Sequence, residues 1–198
     1  MKSAEQKKEK KTGKWSVKKI NAGFGLAAVV LLLVHVAYSI SAYLLFLYNP
    51  LVTKVLGYSF AVIVVAHILL SVINVYGKHD TASVRYYPKA NIGTILQRTS
   101  GLLILIILPI HIKTGGWIMG HQVGRAGLSA LLVAEVVFWA MVMTHVAISL
   151  PRALITLGWL ATEKGKKRLD IVMQILCAAL FVVAAYVVIR TQLIVYYR

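Results

Sequence analysis

Residues 20–53 read INAGFGLAAVVLLLVHVAYSISAYLLFLYNPLVT, without a single Lys, Arg, Asp or Glu. A helix needs about 20 mostly apolar residues to cross a roughly 30 Å hydrocarbon core, so this stretch reads as a membrane span. It is too long for the apolar region of a signal peptide and is expected to stay in the chain. Residues 55–77 are equally free of charge, and three further apolar segments follow: Ile95–Trp117, Ala126–Pro151 and Ile171–Tyr196. Arg98 and Lys113 fall near the two ends of the third segment, where long side chains reach polar surroundings. The expected fold is all-α, an integral membrane bundle of five transmembrane helices over residues 20–198. A lysine-rich arm, residues 1–19, precedes it and suits an anionic membrane face.

Composition points the same way. The chain is 59% hydrophobic and only 14% charged, where roughly 25% charged is usual for a soluble domain. Its 22 Lys and Arg face 6 Asp and Glu, a net charge of +16. A nucleic-acid binder would carry such charge on a conventional soluble core, so that class is excluded. The one cysteine, Cys177, rules out an intramolecular disulfide, an iron–sulfur cluster, a cysteine zinc site and a C-x-x-C-H haem attachment. Placing the N-terminus inside puts 17 basic residues on the inner side and 5 on the outer. That asymmetry predicts a cytoplasmic N-terminus in a multi-pass protein of the cytoplasmic (inner) membrane.

His35, His67, His111 and His145 fall one each in the first four spans, while His79 and His121 fall in loops. Ionisable groups are expensive inside a bilayer, and four in consecutive helices call for a shared reason. At about 1.5 Å per residue, His35 lies about 22 Å and His111 about 21 Å from the inner side. His67 lies about 15 Å and His145 about 9 Å deep on the same scale. The histidines therefore sort into an outer pair, His35 with His111, and an inner pair, His67 with His145. Two imidazoles per layer suit a six-coordinate haem, with one on each face of the iron. Zinc usually takes four ligands, or three and a water, and suits this pattern poorly. A flat porphyrin also needs small neighbours, and position i+4 shares the ligand's helix face. Ser39, Ser71, Gly115 and Ser149 stand there.

The stretch Gln97-Arg98-Thr99-Ser100-Gly101, with His111 ten residues after Gly101, resembles the haem helix of succinate:quinone oxidoreductase membrane anchors. So does His145 followed by Thr156-Leu157-Gly158-Trp159. Over residues 20–198 the chain is similar in layout to the single-subunit, five-helix, di-haem cytochrome b of that family. The resemblance implies that His35 and His111 hold a distal b haem and His67 and His145 a proximal one. It further implies a flavoprotein and an iron–sulfur subunit on the cytoplasmic face, as in succinate dehydrogenase or fumarate reductase. The dicarboxylate chemistry would then lie in the flavoprotein, and this chain would be the quinone-reactive subunit, with menaquinone the expected quinone. The chain departs from the family at Ser71 and Ser149, where glycine often follows the ligand, and span 2 has no counterpart of a quinone-associated glutamate.

Glu135 is the one carboxylate deep within a span, about 24 Å from the inner side and level with the outer histidines. Two roles are open to it: an ion pair with Lys113 or Arg125, or a proton-exchanging group beside a quinone. Arg98, Arg152 and Lys113 are candidates for haem propionates, or plain interfacial anchors. Pro109 is expected to bend span 3. The basic inner loops, with His79, Asp80 and Trp159, are candidates for docking the iron–sulfur partner, and His121 for the outer quinone mouth. The rival readings are a di-haem anchor of another quinone-linked enzyme, of hydrogenase, formate dehydrogenase or ascorbate-linked type, a histidine-based metal or proton transporter, and a structural anchor that has lost its haems.

Overall fold

The computed structural model describes residues 16–45, 47–76, 91–119 and 122–197. Five helices run through them: α1 (Val17–Leu44), α2 (Pro50–Tyr76), α3 (Ile92–Met119), α4 (Arg125–Leu157) and α5 (Glu163–Tyr196). Each carries a segment of 24 to 34 residues that is long and apolar enough to cross a membrane. The architecture is that of a multi-pass membrane protein.

The helix ends follow local chemistry that charge alone does not reveal. The charge-free run 20–53 holds a turn, because α1 stops at Leu44 and α2 starts at Pro50. Asn49 caps α2, its Oδ1 accepting the Leu51 and Val52 N–H groups at 2.9 and 3.2 Å. Proline follows at the first helical position, where its missing N–H costs nothing. The Tyr38 hydroxyl ties the turn to α1, donating to Asn49 O at 2.9 Å and accepting from Asn49 N at 2.8 Å. The fourth helix passes through Pro151 and ends six residues later, beyond the expected stop. A proline inside a membrane helix is tolerated when neighbours satisfy the freed groups. Gly158, at φ 84°, closes α4: its N–H bonds Ile155 O and the Trp159 N–H bonds Leu154 O. The Thr156-Leu157-Gly158-Trp159 stretch is thus a left-handed helix stop. α5 begins earlier than its apolar segment, capped by Thr162, whose Oγ1 accepts the Gly165 N–H at 3.1 Å. Of the expected arm, only residues 16–19 are described. Ser16 caps α1 there by accepting the Lys19 N–H at 3.4 Å.

α4 is the hub. It packs along α3, α5 and α1, while α2 packs chiefly on α1. Leu32 and Val36 of α1, Phe138, Trp139, Val142 and Met143 of α4, and Cys177 and Ala184 of α5 form the main core. A smaller cluster, Ile118, Leu128 and Leu131, joins α3 to α4 at the opposite end from the α1 start. Large apolar side chains such as Val62, Leu102, Val133 and Val182 point outward on four different helices. So much exposed apolar surface suits lipid, not water. α5 shows both faces within two residues, with Ala184 5% exposed and Val182 64% exposed. Ala184→Leu should overpack the α1–α4–α5 seam and lower stability by about 1–3 kcal/mol. Val182→Leu should be neutral, and thermal unfolding in detergent compares the two.

Candidate functional site

The four span histidines occupy two levels of the bundle. His35 and His111 are close enough for charge on one to act on the other, and so are His67 and His145. These rings come from α1 with α3 and from α2 with α4, helix pairs that are not among those packed closely together. Among the described residues, no three or more His, Cys, Asp or Glu side chains converge as a bare metal ion would require.

At the level nearer the α1 start, two imidazoles are held by the same device. His67 Nδ1 lies 3.4 Å from the Asn21 carbonyl oxygen of α1. His145 Nδ1 lies 3.1 Å from the Gln97 carbonyl oxygen of α3. A carbonyl can only accept, so Nδ1 carries the proton in each ring and Nε2 keeps its lone pair. A glycine stands four residues after each carbonyl. A Cβ on Gly25 would come within 3.2 Å of His67 Cε1, and one on Gly101 within 3.2 Å of His145 Cε1. Each ring thus rests against a bare stretch of the neighbouring helix. The acceptor lies across the helix interface, where the neighbouring helix's glycine leaves the ring room.

Polar side chains complete this level. Asn21 Nδ2 donates to Ser71 Oγ at 3.1 Å, so Ser71 is engaged in joining α1 to α2. Ser100 Oγ lies 3.2 Å from His145 Nδ1 and 3.1 Å from Gln97 O. Gln97, Ser100 and Gly101, from the stretch that resembles a haem helix, therefore all serve His145. Arg152 donates to Gln97 Oε1 at 2.6 Å and reaches Thr94 Oγ1 at 3.4 Å, with Gly93 leaving room for its guanidinium. Arg98 is exposed. Ser149 Oγ is buried without a hydrogen-bond partner among the described residues.

The level farther from the α1 start is built differently. His111 Nδ1 lies 2.8 Å from the Glu135 carboxylate, which is 3% exposed. Neither Lys113 nor Arg125 pairs with Glu135 among the described residues. Phe138, three residues after Glu135, stacks on the His111 ring at 4.4 Å, and Trp139 meets it edge-on at 6.0 Å. Trp139 Nε1 is buried without a hydrogen-bond partner among the described residues. His35 stacks near Phe60 at 6.0 Å and has no hydrogen bond among the described residues. Ser39 is half-buried. Gly115 faces open space, and Lys113 is exposed. His79, Asp80 and His121 lie outside the described residues.

Asn21, Gly25, Ser100, Gly101, Phe138 and Trp139 are additions that the histidine count does not supply. Ser100 and Gly101 belong to the stretch that resembles a haem helix, and its four-residue spacing Gln97–Gly101 recurs as Asn21–Gly25. The His145 ring is pinned by two partners and cannot retreat, so Gly101→Ala should destabilise by about 1–3 kcal/mol. Gly25→Ala should cost less, because the 3.4 Å bond of His67 has room to give. Gly23→Ala meets no atoms within 4 Å and serves as the control. The Gly101→Ala penalty should vanish in a His145→Ala background, which a double-mutant cycle of unfolding free energies measures.

No protein-family model, curated protein or solved structure matches the chain.

Proposed function

We propose that this chain is the membrane electron-transfer subunit of a succinate:quinone oxidoreductase, holding two b haems between its first four helices. The observation that carries the reading is the state of the ring nitrogens. Three of the four histidines spend Nδ1–H on a fixed acceptor, namely Asn21 O, Gln97 O and Glu135. Metal-bound histidines almost always donate their other ring N–H in this way, which fixes the tautomer and turns the free nitrogen to the metal. The glycine cradles at Gly25 and Gly101 add to the fit by seating two rings against neighbouring helices.

On this reading His35 and His111 hold the outer haem and His67 and His145 the inner one. When bound, each haem supplies reversible one-electron transfer. The chain's own residues orient the four imidazoles, keep lipid and water from the ligand faces, and set how readily each site is reduced. Arg152, half-buried at the inner end of α4, is placed to neutralise an inner propionate, and exposed Arg98 can do so only by turning inward. The basic residues of the described chain favour the end where α1 starts: Lys18, Lys19, Arg98, Arg152, Lys164, Lys166, Lys167 and Arg168. At the other end stand Lys54, Lys113, Arg125 and Arg190. That bias supports a cytoplasmic N-terminus, and on this reading an iron–sulfur and a flavoprotein subunit would dock on the same side. A quinone, with menaquinone expected, would exchange electrons with this chain.

A reduced-minus-oxidised visible spectrum with a pyridine haemochrome count tests the reading. The expected result is two b haems per chain with sharp low-spin bands. His145→Ala should remove one haem and leave the other's bands in place. Folded but colourless protein from haem-replete cells would sink the proposal. Co-purification with a flavin-bearing and an iron–sulfur subunit is the expected sign of the partner complex, and different soluble partners would move the chain to another quinone-linked enzyme.

A further inference from the structure

Residues 20–27 of α1 read INAGFGLA, and the two glycines fall on different faces of the helix. Gly25 meets His67, whereas a Cβ on Gly23 would meet nothing within 4 Å. That open space belongs to a groove of about 300 Å³, lined by Ile20, Gly23, Phe24 and Ala27 of α1 and Ile63 of α2. From Ile20 to Ala27 it follows the helix for about 10 Å. Lys19 stands four residues before Gly23, on the same face and nearer the α1 start. Lys18 lies beside it, and both are exposed. We propose that this groove holds an acyl chain of an anionic phospholipid whose headgroup phosphate sits on Lys18 and Lys19. The site takes no residue from the histidine levels and stands or falls apart from the di-haem reading.

The two ends of the groove ask for different chemistry. Along its length every lining side chain is apolar or absent, so it offers contact to methylene groups and nothing to a polar ligand. At its lysine end the charge is uncompensated. α1 and α2 contain no Asp or Glu, and neither Lys18 nor Lys19 forms an ion pair among the described residues. Both lysines also stand in the first turn of α1, where the helix dipole is positive and repels cations. An anion at that end is favoured by the lysines and by the dipole together. A phospholipid supplies the tail and the anion in the order the groove presents them. A zwitterionic headgroup carries its own cation and gives back part of that gain. A second copy of the chain, inserted in the same orientation, would bring its own lysines to the same end and be repelled.

The test is native mass spectrometry of the purified, delipidated full chain. It is titrated with dioleoylphosphatidylglycerol and, separately, with dioleoylphosphatidylcholine, which has the same tails. Wild type should bind one phosphatidylglycerol tightly and phosphatidylcholine more weakly. Lys18→Gln/Lys19→Gln should weaken phosphatidylglycerol binding about thirtyfold, about fivefold for each lysine, and leave phosphatidylcholine unmoved. Gly23→Leu should fill the groove and weaken both lipids about tenfold. Gly57→Leu, on α2 and equally open, should change neither. Thermal unfolding of the delipidated variants checks the fold, and if Gly23→Leu does not fold, Ile63→Trp fills the groove from α2 with the same expected loss. Equal affinity of the wild type for the two lipids would overturn the headgroup assignment. Phosphatidylglycerol binding unmoved in Gly23→Leu would overturn the groove. So would a wild-type dimer that Gly23→Leu separates and added lipid does not.

Discussion

A polar group in hydrocarbon must find its partner inside the protein, and the imidazole of His145 shows what that demand does to a helix bundle. Its Nδ1 reaches a backbone carbonyl of α3, which requires α3 and α4 to approach closely at one point. A Cβ there would press on the ring at 3.2 Å, and Gly101 has none. The same demand, met by Asn21 O and Gly25, sets where α2 lies on α1. Two helix pairs are thus registered by a ring against a bare backbone. Within each pair, the nitrogen that bonds the neighbour leaves the other nitrogen free.

The pairs are then joined by apolar packing. α4 meets α1 and α5 through Leu32, Val36, Phe138, Trp139, Val142, Met143, Cys177 and Ala184. α5 carries no histidine and packs on α4 through this cluster, in which Phe138 and Trp139 also touch His111. α2 depends on α1 for nearly all of its packing. The polar link between Asn21 and Ser71 therefore matters more than a surface hydrogen bond would. Interhelical bonds of this kind contribute on the order of 0.6 kcal/mol in membranes.

The helices were legible in the sequence because long charge-free runs have few other uses. Their ends were less so. The residues between α1 and α2 are uncharged, so a reading by charge runs through them, and the signal lay in Asn49–Pro50. Pro151 misleads in the other direction, since α4 continues past it. The histidines and their levels could be counted from a fixed helical rise. Their acceptors could not, because a carbonyl oxygen has no residue-type signature. Glu135 was visible as an isolated buried acid. Its choice of His111 over Lys113 or Arg125 depends on helix rotation, which places both cations out of reach of a side chain turned into the core.

The contrast between the two levels follows from where each acceptor comes from. A backbone carbonyl keeps one position and one partial charge, so His67 and His145 each have an acceptor that no side-chain substitution can alter directly, with Ser100 Oγ a second partner for His145. A side-chain carboxylate can be gained or lost by changing one residue, and Glu135 places such an acceptor on His111. α4 contributes both His145 to the level nearer the α1 start and Glu135 to the other. Any rotation of α4 would shift His145 on Gln97 O and Glu135 on His111 together, so the helix couples the two levels mechanically. The bracing by α5 and the seam at Cys177 and Ala184 thereby keep both acceptor distances fixed at once.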